Sequence, residues 1–133
     1  MKVDGRCHCG NITYEAEIDP ETVGICHCTD CQRLTGTAYR TTVRAAAAGF
    51  VLKTGQPTIY IKTGDSGTKR AHAFCPVCGT PVYAAALIDP TVYSLRLGTI
   101  EQRAALTPRR QAWCRSALPW SQDLRDLPRL DHQ

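Results

Sequence analysis

No window of this chain is apolar for long enough to span a bilayer, and Met1 to Gly10 hold no hydrophobic stretch of the secretory kind. The expectation is a cytoplasmic protein with no membrane partner, in a compartment where thiols stay reduced. Charge of neither sign runs to five consecutive residues, and the formal net charge of +4 is carried by separated arginines. Nothing there calls for nucleic acid, whereas a mildly basic surface suits a small anionic substrate. Aromatics are sparse at 7%, so a core has to be built from Val, Ile, Leu and Ala. Internal repeats, linkers and low-complexity tracts are missing. The 133 residues fit a single domain, 1–133, that benefits from extra cross-links.

What is present is a strand grammar. Ile12, Tyr14, Ala16 and Ile18 alternate with Thr13, Glu15 and Glu17, the period of a half-buried strand, and Asp19-Pro20 predicts its end. A second strand is expected over 23–27, and others over 39–43, 50–53, 58–62, 69–74, 81–84 and 92–97, with turn signals between them. Asp30 to Leu34 predicts one helical turn before Gly36. Ala45 to Ala48 have helical propensity but are too few to nucleate a helix. Trp120, Leu124 and Leu127 fall at helical spacing, which predicts a short docking helix near the C-terminus. The fold class is therefore mainly β, a single domain of short antiparallel strands.

Eight cysteines in a reducing compartment point to metal rather than disulfides. Cys7-His8-Cys9 places two thiols on one side of an extended segment, with His8 turned away. Cys75 and Cys78, followed by Gly79, form a C-x-x-C turn of the zinc-knuckle kind. Each pair supplies half of a tetrahedral four-sulfur site, the closed arrangement of structural zinc. Such a site contributes roughly 10–16 kcal/mol in small peptides, against a whole-domain stability of about 5–15 kcal/mol. Losing Cys78 is expected to unfold the chain.

A third cluster, Cys26-His27-Cys28-Thr29-Asp30-Cys31, offers three thiols. Three protein ligands leave a fourth position open, the arrangement of catalytic zinc. Cys114, His27 and His72 are the candidates to close it, which would make the second site purely structural. Cys114, beside Trp113, reads as a buried free thiol, and His8 and His72 read as ordinary polar residues.

Taken together, C-H-C-G-N-I at 7–12, C-H-C-T-D-C-Q-R at 26–33 and F-C-P-V-C-G-T at 74–80 resemble the glutathione-dependent formaldehyde-activating enzyme family, which includes centromere protein V. Gly98-Thr99 and Trp120 also resemble that pattern, and the likeness runs over about residues 3 to 120, leaving 121–133 as a tail. The resemblance implies a twisted β-tent zinc fold. It implies two Zn²⁺ per chain, a structural one on Cys7, Cys9, Cys75 and Cys78 and a catalytic one on Cys26, Cys28 and Cys31. The activity it implies is carbon–sulfur lyase or synthase chemistry on an adduct of glutathione with formaldehyde. Ile100-Glu101-Gln102-Arg103 and Gln111-Ala112 depart from the family pattern, which bears on the substrate and leaves the metal ligands intact.

The expected substrate is a small-molecule thiol/aldehyde adduct such as S-hydroxymethylglutathione. Gln32, Thr35 and Tyr39 are candidate hydrogen-bond donors to its oxygen. Arg33, Arg40 and Arg70 are candidates for its carboxylates. The competing expectation is a non-enzymatic zinc module for a protein or chromatin partner, against which stands the lack of a long basic extension. A homodimer is compatible with everything in the sequence.

Overall fold

A computed structural model describes residues 1–133. The elements are β1 (Lys2–Arg6), β2 (Thr13–Cys26), α1 (Thr29–Thr35), β3 (Arg40–Thr54), β4 (Thr58–Thr63), β5 (Lys69–Phe74), β6 (Pro81–Ala86), β7 (Val92–Arg96) and β8 (Arg110–Ala112), with four 3₁₀ turns after β7. One sheet runs in the order β1-β2-β3-β7-β6-β5-β4. Neighbours along it are antiparallel, and the short β8 adds in parallel to the end of β2 at Gly24–Cys26. The chain is thus mainly β, as its alternation predicts. No helix is long and apolar enough to cross a membrane.

Two boundaries differ from the expectation. Asp19-Pro20 does not end a strand: β2 continues through it, and the ladder with β3 shifts register between Asp19 and Gly24. A bulge is where a proline, which has no N–H to donate, can sit in a sheet. The alanine run is also strand, in the middle of β3. Ala45 lies opposite Ile18 on one side and Tyr93 on the other, so pairing on both flanks overrides local propensity.

The expected C-terminal helix does not form. Pro119–Gln122 makes a single 3₁₀ turn, and Trp120, Leu124 and Leu127 are exposed. Asp123 accepts from the backbone N–H of Arg125 at 3.0 Å and pairs with its guanidinium, a local turn that competes with helix. Cys114 is exposed in another 3₁₀ turn rather than buried.

Side chains of opposite parity leave opposite faces of the sheet. Val43, Ala45 and Leu95 join Ile12, Tyr14, Ile18, Val23, Val82 and Ile100 in the core, with Phe50, Tyr83 and Tyr93 packed against it. Gly5 passes directly over the ring of Tyr14, where a Cβ would have no room. The Tyr14 hydroxyl shares a 2.7 Å hydrogen bond with Thr99. The other face of β3, β7 and β5 carries Arg40 and Thr42, Ser94 and Arg96, Arg70 and His72. That face positions the site.

Candidate metal centres

Two turns bring the first four thiols together. After β1 the chain reverses so that Cys7 and Ile12 pair through the backbone (Cys7 N–H to Ile12 C=O, 3.0 Å), and Gly10 takes a positive φ of 82°. After β5 the same device recurs: the Gly79 N–H donates to the Cys75 C=O at 2.8 Å, and Gly79 has φ 76°. Glycine suits both places because this left-handed conformation costs it little. The His8 N–H donates to the Thr80 hydroxyl at 3.1 Å and holds one turn against the other.

Cys7 and Cys9 Sγ lie 3.6 Å apart, Cys9 and Cys75 Sγ 3.8 Å, and all four sulfurs fall within 4.8 Å of one another. A tetrahedral ion with Zn–S bonds of about 2.3 Å sets its sulfurs roughly 3.8 Å apart, so the spacing fits such an ion. The Ile12 N–H points at Cys7 Sγ at 3.2 Å, a donor suited to thiolate. The Thr80 hydroxyl, 3.1 Å from Cys78 Sγ, leads the interactions that pull the Cys78 thiol down to about 5. At Cys9 the Asn11 backbone favours the thiolate, but burial and the three other thiols outweigh it and the thiol rises to about 11. Four sulfurs this close cannot all ionise without a cation among them.

The second group is Cys26, Cys28 and Cys31, again with all sulfurs within 4.8 Å of one another. Cys26 ends β2. Cys28 is the N-cap of α1, where its Sγ accepts the Cys31 N–H at 3.3 Å, and Gly36 closes the helix in the left-handed conformation. The short helix thus turns Cys31 back toward the other two. Burial raises the Cys31 thiol to about 12 against the opposing pull of Arg40. Burial also raises Cys28, but the Cys31 backbone N–H and neighbouring thiols prevail and its pKa is lowered.

No fourth side chain joins this trio. His27 is buried with Nε2 2.7 Å from Gln111 Oε1 and its ring edge-on to Tyr39. His72 accepts at Nδ1 from Arg96 at 3.2 Å. Cys114 is exposed at the surface.

The three thiols open on a cavity of about 230 Å³ whose other walls include Arg40, Lys62, Arg70, Arg96, Thr42 and Ser94. Its single carboxylate, Asp30, is engaged by Lys62 at 2.9 Å. Burial and the surrounding cations hold His72 near pKa 4, so it is neutral. A second hollow of about 540 Å³, with Ile59, Tyr60 and Phe74 in its wall, shares Leu34, Arg40, His72 and Arg96 with the first. A separate cleft beside His27 and Arg109 contains none of the cysteines.

Arg40 and Arg70 stand at the cavity; Arg33 is exposed on α1 and does not. None of the three expected oxygen donors faces it. The Gln32 amide donates to the carbonyls of His27 and Ser116, and the Thr35 hydroxyl to that of Cys31. Tyr39 packs on His27. All three are near Cys31 in sequence, but α1 and the return to β3 turn them away. Thr42, Lys62, Ser94 and Arg96 were missed, and His72, weighed only as a fourth ligand, stands in the cavity wall. The available signal was polar residues two apart in three of the strands: 40 and 42 in β3, 94 and 96 in β7, 70 and 72 in β5. In the sheet Thr42 faces Arg96, and Ser94, Ala84 and His72 form one cross-strand row.

Comparison with known proteins gives a family and a fold. The family described as glutathione-dependent formaldehyde-activating enzyme matches residues 2–116. No curated protein matches the chain. A crystal structure of a protein from Rhodobacter sphaeroides is similar with a TM-score of 0.62 at 20% identity, covering 81% of this chain and 98% of that one. At that identity the likeness shows the fold.

Proposed function

Because the chain belongs to the glutathione-dependent formaldehyde-activating enzyme family, we propose that it is a zinc-dependent carbon–sulfur lyase or synthase. Its substrate is an adduct between a glutathione-like thiol and a small aldehyde, of the S-hydroxymethylglutathione kind. The reading takes residues 1–133 as one domain holding two zinc ions, a structural one on Cys7, Cys9, Cys75 and Cys78 and a catalytic one on Cys26, Cys28 and Cys31. The observation that carries it is the trio of thiols with no fourth protein ligand, opening on a cationic cavity.

Zinc on three thiolates supplies an open coordination position and a Lewis acid that favours the thiolate form of a substrate thiol. The chain's own residues do the rest. In the forward direction the substrate sulfur bonds to the carbonyl carbon, and the aldehyde oxygen takes up the charge and then a proton. The reverse breaks that carbon–sulfur bond and returns the proton. Ser94 and Thr42 offer hydroxyl donors at the cavity wall, and Lys62, held by Asp30, offers an ammonium. Donors placed where negative charge develops lower the barrier most. Arg40, Arg70 and Arg96 add positive potential, and His72, neutral, leaves that potential unopposed.

Cys28→Ser tests this reading. Serine is a good N-cap, so α1 keeps its first-turn hydrogen bond while the thiolate is lost. The expected result is a folded protein with one zinc instead of two and no catalysed hemithioacetal turnover, measured by metal analysis and by NMR exchange between free aldehyde and adduct. A folded, one-zinc Cys28→Ser protein with full turnover refutes the assignment.

A further inference from the structure

Two arginines beside the three-cysteine centre are buried without the partners that buried charge requires. Arg40 and Arg96 are each 8% exposed, and the Nε of each has no hydrogen-bond partner. None of the chain's ion pairs involves either of them or Arg70. Burial and the nearby Arg40 push Arg96 down to about 9, so it remains charged at neutral pH. A guanidinium removed from water without a counter-charge is strongly unfavourable, and here at least two share one wall. Cys31 offsets part of this. Three thiolates on a divalent ion, however, carry only one net negative charge against three unpaired arginines.

We propose that Arg40 and Arg96 form a carboxylate subsite, and that the preferred thiol is a compact mercapto acid whose carboxylate lies within a few bonds of its sulfur. This rests on reading the three-cysteine centre as a thiol site, and it narrows the glutathione-like thiol of that reading to a shorter acid. The fork of a guanidinium matches the two oxygens of a carboxylate, and a buried pair of forks encloses one. The short reach follows from the sheet. Arg40 on β3 is the direct cross-strand partner of Cys26 on β2, and Arg96 on β7 is the partner of Thr42, two residues along β3. Sulfur-binding and carboxylate-binding groups therefore line the same 230 Å³ chamber, and Arg40 and Arg96 also border the adjoining hollow of about 540 Å³. In glutathione a peptide bond separates the sulfur from its nearer carboxylate, so that acid group meets the two forks only from the adjoining hollow, a longer span than the cross-strand neighbours Cys26 and Arg40 call for.

The test is calorimetric titration of the zinc-loaded full chain, without turnover, using 3-mercaptopropionate, the neutral thiol 2-mercaptoethanol, glutathione and acetate. The acid thiol is expected to bind at least about tenfold more tightly than the neutral one, as for a charge-assisted pair. Arg40→Gln and Arg96→Gln should each bring that ratio close to one, read against the variant's own affinity for 2-mercaptoethanol. Salt dependence on the unaltered chain decides the matter if either variant fails to fold. High ionic strength should weaken 3-mercaptopropionate, with its extra charge, clearly more than 2-mercaptoethanol. Equal affinity of the two thiols overturns the carboxylate subsite and leaves the thiol site standing. Tighter binding of glutathione than of 3-mercaptopropionate overturns the compact acid. Binding of acetate with neither thiol bound overturns the thiol site itself, and with it the proposal.

Discussion

Replacing Cys78 by serine isolates the contribution of the four-cysteine centre. Cys75 and Cys7 are buried in the core, so altering them would mix metal loss with packing loss; Cys78 is only half-buried. A serine hydroxyl occupies nearly the same position and can still bond the Thr80 hydroxyl, now 3.1 Å from Cys78 Sγ. Without a metal effect the exchange should cost no more than about 0.5 kcal/mol, as for most surface substitutions. With it, the cost is a fraction of the roughly 10–16 kcal/mol that such a site contributes. Losing even a third, about 3–5 kcal/mol, lowers the melting temperature of a domain this size by about 10–20 °C. Such a loss removes much of a typical total stability of about 5–15 kcal/mol. The assay pairs thermal melts in zinc-buffered solution with metal content of the purified protein. A Cys78→Ser chain that keeps both zincs, or that loses one and melts within a few degrees of the parent, refutes the reasoning.

Burial pushes the Tyr14 phenol up to about 12, whereas an unfolded phenol titrates near 10. Stability from this group is therefore complete below pH 10 and is lost as the pH rises toward 12. Tyr14→Phe should flatten that part of a stability-versus-pH curve and cost about 0.5–1.5 kcal/mol at neutral pH, read by urea denaturation. Gln111→Leu leaves His27 with no partner at either ring nitrogen, since Nδ1 already has none. It should cost about 1–3 kcal/mol and speed amide exchange in β8, measured by hydrogen exchange.

The strand grammar was readable because alternation such as Ile12-Tyr14-Ala16-Ile18 reports directly on which side faces a core. The lengths of β2 and β3 were not. Pro20 and the alanine run are local stop or helix signals that lose to pairing with distant strands, and single-residue preferences contain no record of those partners. The cysteine groupings were visible from spacing, because thiols two or three apart can converge whatever surrounds them. The rest of the cavity is assembled from β3, β4, β5, β6 and β7, whose order in the sheet is not their order in the chain. Hence Lys62, Ser94 and Arg96 had no sequence neighbour to announce them, while Gln32, Thr35 and Tyr39 were near the cysteines in sequence and turned elsewhere.

The first metal centre also has a bearing on how the molecule is made. Its two halves lie 66 positions apart, counted from Cys9 to Cys75. During synthesis the early pair must wait, half-coordinated, until more than half the polypeptide has emerged. An ion that bridges them closes a ring whose entropy in a free chain is worth about 4 kcal/mol, as a disulfide of that span would. A chain deprived of metal would lack that closure, leaving the Cys7–Cys9 turn and the Cys75–Cys78 turn held together by little more than the His8–Thr80 hydrogen bond.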